Sequence, residues 1–143
     1  MKMIVAGFDE SGPAERALAR AADLAEAFDA TLVIAAVAEA PLPGVDVFPG
    51  AAGRVASEAV EEFDLAERHL DRARSLLEGR TVRAEYVSDV GEPADRILDL
   101  AEQRSADLIV VGIEATGFLE RLLEGSTADD VAHRTRRDVL IVH

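Results

Sequence analysis

Residues 107–127 read DLIVVGIEATGFLERLLEGST. The apolar run Leu108 to Val111 stops at Gly112, a connection of 12 residues follows, and Gly125 then leads into Ser126, Thr127 and a helical pattern. A strand that runs into a loop and re-emerges at a helix N-terminus presents unpaired backbone N–H groups and the positive end of the helix dipole, which together suit an anion such as phosphate. The same letters also fit a plain connection, in which Gly112 ends a strand, Gly125 permits a turn and Ser126 caps the next helix.

Working outward, Ser126 or Thr127 opens a short helix with Asp129 and Asp130 in its first turn, and Asp138 to Val142 closes the chain as a strand. Upstream, Gly91 and Pro93 open a helix that carries Ile97, Leu100 and Ala101 inward, preceded by a β-rich segment from Thr81 to Val87. A spacing of fours and threes through Ala59, Phe63, Ala66, Leu70, Ala73 and Leu77 predicts a long helix from Val55 to Gly79. Before it, Pro41, Pro43, Gly44, Pro49, Gly50 and Gly53 crowd a stretch from Val37 to Gly53 that reads as a mobile loop. Thr31 to Val37 is a strand apolar on both faces, as buried parallel strands are. An amphipathic helix precedes it, with Ala17, Leu18, Ala21, Leu24, Ala25 and Phe28 on its stripe and Pro13 in its first turn. Met3 to Phe8 opens the chain as a strand, and Asp9 to Gly12 is turn chemistry.

Strands alternating with helices, joined by right-handed crossovers, predict one α/β domain over residues 1–143. Its core is an open five-stranded parallel sheet with helices on both faces, of Rossmann-like, adenine-nucleotide-binding type. In such a sheet the ligand crevice lies beyond the carboxyl ends of the strands, where the strand order reverses. If strands one and four are neighbours, three loops meet there: Asp9 to Gly12, Val37 to Gly53, and Gly112 to Ser126.

Acids outnumber bases 28 to 15, Lys2 is the only lysine, and the formal net charge is −13. The excess is spread along the chain, so a nucleic-acid partner or an anionic membrane surface is not expected. Even acidity with abundant alanine also suits a protein hydrated in concentrated salt. There is no cysteine, which excludes disulfides and thiolate chemistry and fits a reducing interior. The opening residues do not read as a signal peptide, and the longest apolar run, Ala30 to Ala38, is too short to span a bilayer. A soluble, cytoplasmic protein is the expectation. His69, His133 and His143 make no metal-ligand spacing and read as solvated or capping residues.

These residues resemble the universal stress proteins. The likeness covers the whole chain: a first strand that ends in Asp9, the Gly91-Glu92-Pro93 turn, the segment Ala106 to Gly112, LERLLEGS from Leu119 to Ser126, and the terminal DVLIV. Nucleotide-binding members carry Gly-x2-Gly-x9-Gly-Ser/Thr. Gly112 and Gly125-Ser126 match its outer positions at the right separation, while Ala115 stands where the middle glycine would be. A Cβ there hinders close approach of phosphates to the backbone or a positive φ. Glu114, Glu120 and Glu124 against the single Arg121 make the loop acidic.

By the same resemblance, Asp9 corresponds to an adenine or ribose contact and Val37 to the residue whose backbone faces adenine. Gly112, Ala115, Gly125, Ser126 and Thr127 would stand at the phosphates. Asp9 also fits an ordinary turn before a helix, and Ser126 an N-cap. The resemblance implies a regulatory stress-response module acting as a homodimer through the final strand, with protein partners that the sequence does not identify. The degenerate glycine motif favours a module without nucleotide, and a site for ATP or AMP is the alternative. No cationic clamp, base or metal set for catalysis is legible.

Overall fold

The computed structural model describes residues 1–39, 51–113 and 126–143, and of residues 51–59 the backbone only. The element order is β1 (Met3–Gly7), α1 (Gly12–Phe28), β2 (Thr31–Ala38), α2 (Ala51–Leu76), β3 (Arg83–Val90), α3 (Pro93–Gln103), β4 (Leu108–Gly112), α4 (Thr127–Arg134) and β5 (Asp138–Val142). All neighbouring strands are parallel, in the order β3-β2-β1-β4-β5. The fold class expected from the alternation is therefore the one observed, and β1 and β4 are neighbours.

Alternation along the strands sends side chains to two separate cores. Ile4, Ala6, Leu32, Ile34, Leu108 and Val110 face α1 and α2, against Leu18 and Leu70 among others. Val5, Val33, Ile109 and Val111 face α3 and α4, against Ile97 and Val131. Because both faces of β1, β2 and β4 are covered, these strands are apolar on both sides apart from Thr31 at the start of β2.

The sheet face of α1 is mostly alanine, with Ala14, Ala17, Ala21, Ala22 and Ala25 buried around a single leucine, Leu18. Small side chains let this helix approach closely. At Gly112 a Cβ would fall 2.4 Å from the Pro13 carbonyl carbon and 2.6 Å from the Ala14 nitrogen, so the first turn of α1 rests directly on the end of β4. Ser11 caps this helix, its hydroxyl accepting the Ala14 N–H at 3.2 Å. At the opposite end of the sheet the Asp107 carboxylate accepts the N–H groups of Lys2 and Met3 at 2.7 and 2.9 Å. Those two hydrogen bonds hold the carboxyl below the usual range.

Element boundaries differ from the expectation chiefly at β3 and the long helix. β3 runs from Arg83 to Val90 rather than Thr81 to Val87, because it pairs residue for residue with all of β2, from Thr31↔Arg83 to Ala38↔Val90. Thr81 instead gives its N–H to the Glu26 carboxylate, which also pairs with Arg80. The long helix spans Ala51–Leu76, so residues 51–53 belong to it and not to the preceding loop. A helical glycine such as Gly53 costs only about 1 kcal/mol, less than a long helix gains by packing. At the other end of that loop Val37 and Ala38 belong to β2, and residues 40–50 lie outside the described residues.

Two aromatic residues assigned to buried stripes are exposed: Phe28, at the last position of α1, to 55%, and Phe63 to 43%. Phe28 falls where the chain turns through Asp29, in the left-handed region at φ 52°, beyond the sheet that would cover it. For Phe63, Ala66 and Leu70 carry the contact that the periodicity assigned to all three.

Candidate functional site

A crevice of about 580 Å3 opens beyond the carboxyl ends of β1, β2 and β4. It sits at the topological switch point, since β1 connects outward to β2 and β4 to β5 on the other side. Gly7, Phe8 and Asp9 bring it the end of β1, Val37, Ala38 and Glu39 the end of β2, and Val111 and Gly112 the end of β4. Helices wall it on both sides: Ala14 on α1, Pro93 and Ile97 on α3, Thr127 on α4, and Glu62, Leu65 and His69 on α2. Its volume is within the range of small-ligand sites, which is about 300–1,000 Å3.

The structure thus brings Asp9, Val37, Gly112 and Thr127 to one cavity. Asp9 is exposed, and its Oδ1 accepts the Ser11 N–H at 3.0 Å, closing the turn that sends the chain into α1. Asp9 is in this way both the turn residue and a lining residue. Val37 is half-buried in β2, paired with Asp89 of β3. The absence of a side chain at Gly112 is required by α1, whatever else the position does. Ser126 is the N-cap of α4, its hydroxyl accepting the Asp129 N–H at 3.1 Å. The first amides of α4, including that of Thr127, have no partner within the helix. Ala115 and Gly125 lie outside the described residues.

Charge in this crevice is one-sided. Asp9, Glu39 and Glu62 are acidic, and among the described residues the lining holds neither lysine nor arginine. His69 is the one lining side chain there able to become a cation. Its ring is only 17% exposed, with Nε2 4.0 Å from Oε2 of Glu10, a residue held in the left-handed region at φ 64°. From the sequence, His69 reads as a solvated or capping residue. A helical wheel offered a hint to the contrary, since His69 precedes the buried Leu70 and lies four residues after Leu65. Only the packing of α2 over β2 and β3, which brings Glu62, Leu65 and His69 to the carboxyl ends of the strands, makes this a crevice wall. Phe8, Leu65 and Pro93 were missed for the same reason, being ordinary apolar residues until the strand ends converge.

Comparison with known proteins bears on the same residues. The Universal stress protein family matches residues 1–143. The universal stress protein Rv1636 of Mycobacterium tuberculosis is 34% identical, over 99% of this chain and 96% of its own. Among solved structures, a universal stress protein in complex with cAMP superposes with a TM-score of 0.68 at 31% identity, over 99% of this chain and 97% of that one. The universal stress protein from Archaeoglobus fulgidus in complex with dAMP gives 0.69 at 29% identity, over 100% and 98%. With the sheet order, the crevice at its switch point and a family match from end to end, this chain belongs to the universal stress protein family.

Proposed function

We propose that this universal stress protein holds an adenine nucleotide in the crevice between β1, β2 and β4, and that it works as a cytoplasmic homodimer without catalysing a reaction. The observation that carries the reading is the convergence of Asp9, Val37, Gly112 and Thr127 on one cavity of nucleotide size. Two relatives of about 30% identity, one in complex with cAMP and one with dAMP, support it. In this reading Asp9 and the backbone at Val37 face the adenosine. Gly112, Gly125, Ser126 and Thr127 stand at the phosphate, where the α4 N-terminus favours negative charge.

A second reading, a dimeric stress module that has lost the nucleotide, is favoured by the acidic lining and by Ala115 in the middle of the glycine motif. Thermal melts with ATP, AMP, cAMP and dAMP separate the two. A ligand at 100 times its dissociation constant stabilises by about 2.7 kcal/mol, and Ala115→Gly combined with Glu114→Gln should tighten it further. If none of the four shifts the midpoint of either protein, the nucleotide-free reading holds.

The proposed seam of the dimer is β5. This edge strand has β4 as its only neighbour among the described residues, and Val139, Leu140, Ile141 and Val142 are only half-covered. The opposite edge, β3, carries Arg83, Glu85 and Asp89, charges that discourage edge pairing. A two-fold axis would set two β5 strands antiparallel and satisfy their outer N–H and C=O groups. The arginines expected to lend positive charge to that seam are mostly engaged at home: Arg134 pairs with Asp95, and Arg137 with Glu102 and the Ala106 carbonyl. Of these three, Arg136 alone is exposed without an ion pair to a described residue. The protein partners that such a dimer would address carry no signature in the crevice or along β5.

A further inference from the structure

We infer that His69 is the residue by which the acidic crevice distinguishes a nucleotide from the corresponding nucleoside, acting as its proton-dependent cation. This rests on the reading that the crevice takes an adenine nucleotide. Among the described residues, a phosphate entering a cavity lined by Asp9, Glu39 and Glu62 meets repulsion from every ionised lining side chain except one. His69 is held at that wall, its ring largely shielded from solvent and facing Glu10. At 4.0 Å the pair is an electrostatic neighbour rather than a hydrogen bond, so Nε2 keeps its capacity to donate to a ligand.

Among the described residues, the remaining charges around His69 do not replace it. On α1, Glu15 is held by Arg72 of α2 at 2.9 Å, and Arg16 donates to the His143 carbonyl. On α2, Glu67 accepts from Ser88 of β3, while Glu62 faces the crevice. Asp9 and Glu10 follow β1, and Glu39 follows β2. Protonating the imidazole therefore removes one unit of net negative charge from the cavity while the acids remain. At a separation of roughly 7 Å and an effective dielectric constant of about 40, that change favours a monoanion by about three- to tenfold and leaves a neutral ligand unaffected.

The test compares cAMP, a monoanion across the imidazole range, with adenosine, its neutral counterpart. AMP is unsuitable because its own phosphate titrates near pH 6. Dissociation constants are measured at about pH 5.5 and about pH 8, on either side of the ordinary histidine range, at one low ionic strength. The preference for cAMP over adenosine should rise about three- to tenfold at the lower pH in the native protein. It should stay flat in His69→Gln, which keeps the carboxylates and so controls for their titration. Glu10→Gln should show a raised preference already at the higher pH. An equal rise in His69→Gln, or none in the native protein, overturns the inference while leaving nucleotide binding intact. Failure of both compounds to bind at either pH overturns the nucleotide reading and this one with it. Should His69→Gln fail to fold, the linkage is read in the native protein by NMR: cAMP must raise the pKa of the His69 ring and adenosine must not. An unmoved ring overturns the proposal.

Discussion

Gly112→Ala is the sharpest test of how this fold is assembled, because one missing side chain is assigned both to a ligand site and to a helix contact. A Cβ built there lies 2.4 Å from the Pro13 carbonyl carbon, 2.5 Å from its oxygen and 2.6 Å from the Ala14 nitrogen. Ordinary carbon contacts sit at about 3.5–4.0 Å, so the overlap exceeds about 1 Å, and every atom involved is backbone. No rotamer change relieves it. The first turn of α1 must move away from the sheet, which disturbs the Ser11 cap and the packing of Ala14 and Ala17. Overpacking typically costs about 1–3 kcal/mol, and with a whole helix end displaced we expect about 3 kcal/mol, a fall in the melting midpoint of roughly 10 °C for a domain of this size. Gly7→Ala supplies the internal control. Its Cβ would be too close only to the terminal Cδ1 of Ile97, at 2.8 Å, with Val111 Cγ1 at 3.5 Å and Ile97 Cγ1 at 3.8 Å in ordinary contact; the Ile97 methyl can swing aside for about 1 kcal/mol. Urea unfolding of both variants, without nucleotide, reads the difference. A loss below about 1 kcal/mol for Gly112→Ala, or equal losses for the two, would refute the assignment of this glycine to the α1–β4 contact.

Two further outcomes follow from the same geometry. Asp107 has a carboxyl held low by the Lys2 and Met3 amides, so its stabilising effect is fully present above the unfolded carboxylate pKa and disappears as pH falls through the lower folded value; Asp107→Asn should flatten the acid side of the stability profile, and an unchanged profile argues against that clamp. The native chain should form a dimer that tightens with salt as its charge of −13 is screened, and Ile141→Asp should give a monomer; light scattering that finds the native chain monomeric at high salt and high concentration removes the β5 pairing.

Much of this molecule is legible in the order of its residues, for reasons that are local. Runs such as Leu32 to Ala36 and Leu108 to Val111 are apolar on both faces, and only a strand between two helix layers buries them completely. Pro13 and Pro93 sit in the first turns of their helices and Ser11 and Ser126 at the caps, so the helix starts were marked by backbone chemistry. Topology placed the loops at the crevice, and the resemblance to the universal stress proteins named Asp9, Val37, Gly112 and Thr127 within it; each stands at the end of a strand or the start of a helix, where a parallel sheet gathers its loops. Tertiary structure decided what depends on distance between elements. The bounds of β3 follow from its ladder with β2, and the exposure of Phe28 and Phe63 from where the covering surface ends. The glycine at 112 answers to α1, nearly 100 residues earlier in the chain. His69 became a crevice residue only because α2 packs over β2 and β3. A periodic pattern specifies which face of a helix turns inward, but what that face meets is set by the packing of the whole chain.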